Sequence, residues 1–103
     1  MSQLLQLLEA VKERNLTEAQ LEEYSDELTN LYASMMIEIA GLKKSRAIYF
    51  YTENQKHPEL PDVKIKRLYE VTGEGQRLIL LEHYVKATSK VLSSIRSRLY
   101  HFL

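Results

Sequence analysis

The chain holds no cysteine and no tryptophan, two prolines, three glycines and no net charge. Without cysteine there are no disulfides, no thiolate nucleophile and no thiolate-ligated metal, a composition that fits a reducing cytoplasm. No apolar run approaches the roughly 18 residues a membrane span needs, so no membrane partner is expected. Met1 to Glu13 lacks a basic n-region and carries acids, so it does not read as a signal peptide. With so few helix breakers, proline does not interrupt the chain before Pro58.

Catalytic patterns are missing as well. His57, His83 and His101 stand alone, with neither a His-x-x-x-His pair nor the Glu-x-x-His spacing of di-iron bundles. Glu22, Glu23, Asp26 and Glu27 crowd the first turns of a helix, where acids are solvated and favoured by the dipole rather than desolvated in a cleft. Thr72-Gly73-Glu74-Gly75-Gln76 has neither the Gly-Lys-Ser/Thr end of a P-loop nor the strand that precedes a dinucleotide turn. These absences leave no expected enzyme activity, cofactor or metal.

What is present is helical periodicity in 103 residues, room for one domain. Leu4, Leu7, Leu8 and Val11 form one face of a short helix over 3–14. Thr17-Glu18-Ala19-Gln20 is a capping box, with Leu16 and Leu21 at the positions of a hydrophobic staple. It opens a helix expected over 18–56, about 55 Å long. Its main stripe is Leu21, Tyr24, Leu28, Leu31, Met35, Leu42 and Tyr49, interrupted by Glu38 and Ser45. A second stripe runs beside it through Tyr32, Met36, Ile39, Ala40, Ala47 and Phe50. Two stripes make an apolar face wider than one partner helix covers.

His57 to Asp62, with Pro58 and Pro61, forms the turn, and Pro61 suits the first position of the next helix. Residues 63–103 read as helix, with 62–72 open to a strand reading through Val63 and Ile65, and a break expected near 72–75 where Thr72 suits an N-cap. Leu78, Leu81, Val85, Thr88, Leu92, Ile95, Leu99 and Phe102 then keep three-four spacing, and Thr88 is its one polar member. The expected fold is all-α: a long antiparallel, coiled-coil-like helical hairpin with a short N-terminal helix, completed by oligomerisation, a dimer first. The packing or oligomer interface falls on Leu21, Leu28, Tyr32, Met35, Met36, Ile39, Leu42, Tyr49, Phe50, Leu81, Val85, Leu92, Ile95 and Leu99. The apolar end, Leu99 to Leu103, is expected to dock in the same chain or across a subunit boundary.

Charge is divided along the chain. Residues 1–61 carry ten acids and six bases, and residues 62–103 four acids and eight bases. Either Glu18 to Glu27 meets Arg96 and Arg98 in the folded hairpin or its assembly, or the basic half meets an acidic partner. Lys43, Lys44 and Arg46 beside Tyr49, Phe50 and Tyr51 have the base-and-ring mixture of a single-strand nucleic-acid surface, and Lys86, Lys90, Arg96 and Arg98 suit a phosphate backbone. The alternative is packing by the rings and solvation of the charges.

The run Leu28-x-x-Leu31-Tyr32-Ala33 … Glu38-Ile39-x-x-Leu42-Lys43-Lys44-x-Arg46-Ala47, a proline-bearing turn, Thr72 to Gln76 … Leu81, Lys86-Ala87 and Ile95-Arg96-Ser97-Arg98-Leu99 resembles short proteins encoded by tailed bacteriophages and prophages. The resemblance covers roughly residues 20–103 and implies a helical hairpin of unassigned reaction in a host cytoplasm, accompanying replication or recombination genes. It carries over no functional residues. Three readings are expected: from the wide apolar face, a self-associating, non-enzymatic interaction protein; from Lys43, Lys44, Arg46 and the basic last helix, a nucleic-acid-binding accessory; and from the resemblance, an inhibitor or adaptor of a host protein.

Overall fold

The computed structural model describes residues 2–103 as four helices: α1 (Ser2–Ala10), α2 (Glu18–Lys56), α3 (Asp62–Glu70) and α4 (Gly73–Tyr100). No strand occurs among the described residues, and 62–70 is helical. α2 packs with α4, the pairing of a helical hairpin. None of the described helices is long and apolar enough to cross a membrane.

α2 starts where its side chains close the backbone. The Gln20 amide donates to Thr17 Oγ1 at 3.1 Å, and the Thr17 amide donates to Gln20 Oε1 at 2.9 Å. Two donors that would otherwise lack partners at the helix start are satisfied reciprocally. Leu16 and Leu21, either side of the cap, are both buried. α1 is shorter than expected, ending at Ala10, with Val11 and Lys12 continuing as a turn. Pro61 is the N-cap of α3 rather than its first residue: at φ −71° and ψ 153° it is extended, and its carbonyl accepts from Lys64 and Ile65. A proline ring tolerates both positions, so sequence alone places it only to within one residue.

The break between α3 and α4 is tied by side chains. The Gly75 amide donates to Thr72 Oγ1 at 3.0 Å, while that hydroxyl donates to the Tyr69 carbonyl at 2.6 Å. Gln76 Nε2 donates to the Glu70 carbonyl at 2.5 Å. Thr72 thereby caps one helix and holds the end of the other.

Two compact units result. The first combines the chain through Met35 with Tyr84–Leu103. Its core holds Leu4, Leu7 and Val11, then Leu16, Leu21, Leu28 and Met35, with Thr88 and Ile95 from α4. Arg98 donates to the carbonyls of Val11 and Glu13, both at 2.5 Å, and so ties down the segment that follows α1. The seam stops short of the chain end: Phe102 lies beyond α4 and is half exposed, and Tyr100 and Leu103 are also exposed. The tail does not dock in its own chain.

Thr88 is fully buried, and its hydroxyl has no hydrogen-bond partner among the described residues. A buried hydroxyl left unmade costs about 1–3 kcal/mol. Thr88→Val keeps the shape and removes the polar atom, so it is expected to stabilise the protein by about 1 kcal/mol. A lower midpoint in urea denaturation would contradict this.

The second unit is Met36–His83. Ile39, Ile65, Tyr69, Leu78 and Leu81 are buried in it. Tyr69 is its hinge pin: its ring lies 5.4 Å from that of Tyr49 and 6.4 Å from that of Phe50, and its hydroxyl donates to the Leu42 carbonyl at 3.3 Å. Ile39, placed on the second stripe by sequence, lies in the core, whereas Met36 of the same stripe is exposed.

Candidate functional site

Two surfaces of the second unit stand out. The first is the outer face of α2. Ile37, Ile48 and Tyr51 are 74%, 59% and 68% exposed. With Gly41 and Lys44 they recur at spacings of four and three, one continuous helical arc. Ala40 and Ala47 flank it and are exposed too. Lys44 is the one charge on this arc. Nearer its N-terminus the same turn positions of α2 carry Glu22, Asp26 and Asn30, the polar surface a solvated helix normally shows.

The sequence alone does not single out this arc, because a helix apolar on most sides offers several acceptable stripes. α3 decides among them by covering the side that carries Tyr49 and Phe50. The three-four recurrence of Ile37, Gly41, Lys44, Ile48 and Tyr51 is the signal that shows it, weakened by a glycine and a lysine in the seam.

The second surface is a cleft of about 520 Å³ lined by Lys43, Arg46, Ala47 and Phe50 of α2 and Lys66 of α3. A smaller hollow of about 220 Å³ adjoins it and shares Arg46 and Lys66, with Tyr69, Glu70, Gly75 and Glu82 on its wall. Lys66 lies 4.0 Å from Glu70. Lys43 and Arg46 have no acidic partner within 4.0 Å among the described residues. Three cations thus face one concavity with an aromatic ring in its lining. Lys66 escaped the sequence reading because it lies twenty residues from Arg46 on another helix, and no local spacing links them.

The expected basic track is divided. Lys43 and Arg46 face the cleft, Lys44 lies on the outer arc, and Lys86, Lys90 and Arg96 are exposed in the first unit. Arg98 is half buried and committed to the carbonyls of Val11 and Glu13, which follow α1. No ion pair among the described residues joins Glu18–Glu27 to Arg96 or Arg98. The pair that does join the acidic and basic halves is Glu38–Arg77, a two-pronged contact at 2.7 and 3.0 Å in the second unit. Arg98 departs from the expectation because its guanidinium lies against the main-chain carbonyls of Val11 and Glu13, and its donors are taken up there rather than by a carboxylate.

Of the expected packing residues, Leu21, Leu28, Met35, Ile39, Leu81 and Ile95 are buried within the chain. Tyr32, Leu42, Tyr49, Phe50, Val85, Leu92 and Leu99 are half buried. His83 and His101 are exposed, and His57 lies 3.4 Å from Glu59 at the surface. No cluster of three or more acids and histidines suited to a metal occurs among the described residues.

Two groups tie stability to pH. The hydrogen bond from Arg77 lowers the Glu38 pKa, burial opposes it to a lesser degree, and the Arg77 charge adds a smaller lowering. The stability this contributes is present above the ordinary carboxylate range and is lost as pH falls through the lowered value. Both side chains are more than a third exposed, so the pair contributes about 0–1 kcal/mol. Burial raises the Tyr69 pKa, Glu74 adds to the rise, and Arg46 opposes it. Stability from Tyr69 is therefore complete below the ordinary tyrosine value of about 10 and is lost as pH rises through the raised one. Urea midpoints are expected to fall above about pH 10, and Tyr69→Phe should flatten that limb. An unchanged alkaline limb in Tyr69→Phe would show that Tyr69 is not its source.

The sequence matches no protein-family model, no curated protein and no solved structure.

Proposed function

We propose that this chain is a non-catalytic interaction protein whose working surface is the outer arc of α2 and whose partner there is a second copy of itself. The observation that carries this is the exposure of Ile37, Ile48 and Tyr51 along one continuous face. Contiguous exposed apolar surface of this kind marks an interaction site.

The face suits its own copy. Crossed antiparallel about a twofold axis, Ile37 of one copy opposes Ile48 of the other, and Lys44 opposes Gly41. A two-fold contact needs such a self-complementary patch. Gly41 is open, with nothing within 4 Å of where a Cβ would stand, so a lysine stem has room to lie over it. The stretch from Ile37 to Tyr51 is about 21 Å long, and at about 10 Å width two such strips bury on the order of 500 Å² in all. Stable complexes bury at least about 1,200 Å², so this association is weak and concentration-dependent.

Sedimentation velocity across a concentration series tests it. The mean sedimentation coefficient is expected to rise with concentration in the unmodified protein and to stay at the monomer value in Ile48→Glu, with helicity unchanged. A monomer persisting to about millimolar concentration would sink the proposal. Such an assembly fits the small accessory role that the phage-protein resemblance implies.

A further inference from the structure

We infer that the cleft between α2 and α3 is a binding site for a nucleotide carrying one or two phosphates, held by Lys43, Arg46 and Lys66 with its base against Phe50. It stands apart from the self-association arc and does not depend on it.

The argument starts from charge. Lys43 and Arg46 stand three residues apart on α2, so their side chains leave the same helical face. Lys66 approaches from α3 to line the same space. Like charges brought together raise one another's energy unless an anion offsets them, and neither Lys43 nor Arg46 has an acid within 4.0 Å among the described residues. Arg46 is also half buried, where an unpartnered guanidinium gives up hydration. A phosphate supplies what is missing, since it accepts from the planar arginine fork and from ammonium groups together.

Shape and the surrounding charges select the ligand further. A space of about 520 Å³ lies within the range of small-molecule sites, roughly 300–1,000 Å³. Phe50 and Ala47 provide an apolar wall beside the cations, and an aromatic ring is a sequence-tolerant platform for a base. Glu70 and Glu82 on the adjoining hollow repel further phosphates and confine the anion to the side of Lys43. Among the described residues, Lys43, Arg46 and Lys66 are the basic residues that line the cleft, and Lys44 lies on the outer arc. A compact ligand is therefore favoured over a nucleic-acid strand, which needs an extended basic track.

Calorimetric titration of the full chain with ADP, pyrophosphate, adenosine and an oligothymidylate tests the site. ADP is expected to bind at least tenfold more tightly than either pyrophosphate or adenosine, since each of these lacks half the contacts. Arg46→Gln and Lys66→Gln should each weaken ADP at least tenfold with circular dichroism unchanged, while Lys90→Gln should bind as the unmodified protein does. Absence of ADP binding would overturn the inference. So would ADP affinity that survives both cleft variants, pyrophosphate equalling ADP, or an oligothymidylate binding more tightly than ADP.

Discussion

Gly75→Ala is expected to destabilise the protein by about 3 kcal/mol, the upper end of what overpacking by a single methyl costs. Gly75 is the third residue of α4 and is buried. A Cβ there would collide with the Tyr69 carbonyl oxygen and stand 2.8 Å from Glu70 Cα and 2.9 Å from Tyr69 C. All three atoms are backbone, so no side-chain rotation relieves the contact. The end of α3 would have to move away, and with it the hydrogen bonds of Thr72 to Gly75 and to Tyr69. Gly41→Ala is the control, because that site is open and within a helix. There, the same substitution is expected to stabilise by up to about 1 kcal/mol through helix propensity. Urea denaturation of both variants measures the contrast. Equal midpoints would show that the α3–α4 junction yields freely.

Gly75 also marks where sequence reasoning stops. Two glycines after a threonine read as a weak spot between helices, and a break does lie there. The role of the second glycine depends on where the preceding helix ends in space, which periodicity does not encode. The opposite holds at Thr17 to Gln20, where the whole capping arrangement lies within four residues and the structure shows both hydrogen bonds. The regular spacing from Leu78 to Leu99 was likewise enough to place the buried side of α4, because one narrow stripe leaves one solution.

α2 was harder to read for a physical reason. Its residues from Met35 to Tyr51 are apolar around most of the circumference, so several faces satisfy the helical period. Which of them is covered depends on α3, a nine-residue helix whose Tyr69 packs near Tyr49 and Phe50. The outer arc therefore emerges only once the third helix of the unit is in place. The basic cleft has the same origin, since Lys66 joins Lys43 and Arg46 through tertiary packing alone. The role of Arg98 is not legible in the sequence, because its partners are main-chain carbonyls, which carry no sequence signature.

Leu28→Asp is expected to abolish the folded state at neutral pH. Leu28 has no exposed surface and lies in the core of the first unit. Removing its side chain alone, as in Leu28→Ala, costs about 2–5 kcal/mol through lost transfer energy and the cavity left behind. A carboxylate adds the penalty of an unpaired charge in that cavity, several kcal/mol more. Domains of this size are stable by about 5–15 kcal/mol in all, so the combined loss is comparable with the whole. Leu92→Asp should be milder, because Leu92 is only half buried and lets the carboxylate reach water. Far-ultraviolet circular dichroism at neutral pH is expected to show lost helicity in Leu28→Asp, cooperative melting at a lowered temperature in Leu92→Asp, and retained folding in Leu28→Ala. Acidification separates charge from cavity. A buried carboxyl titrates above its ordinary value, so the variant regains stability as pH falls toward about 4 and the group becomes neutral. A variant as helical at pH 7 as the unmodified chain would mean that Leu28 does not sit in a packed core, and the pairing of α2 with α4 would have to be redrawn.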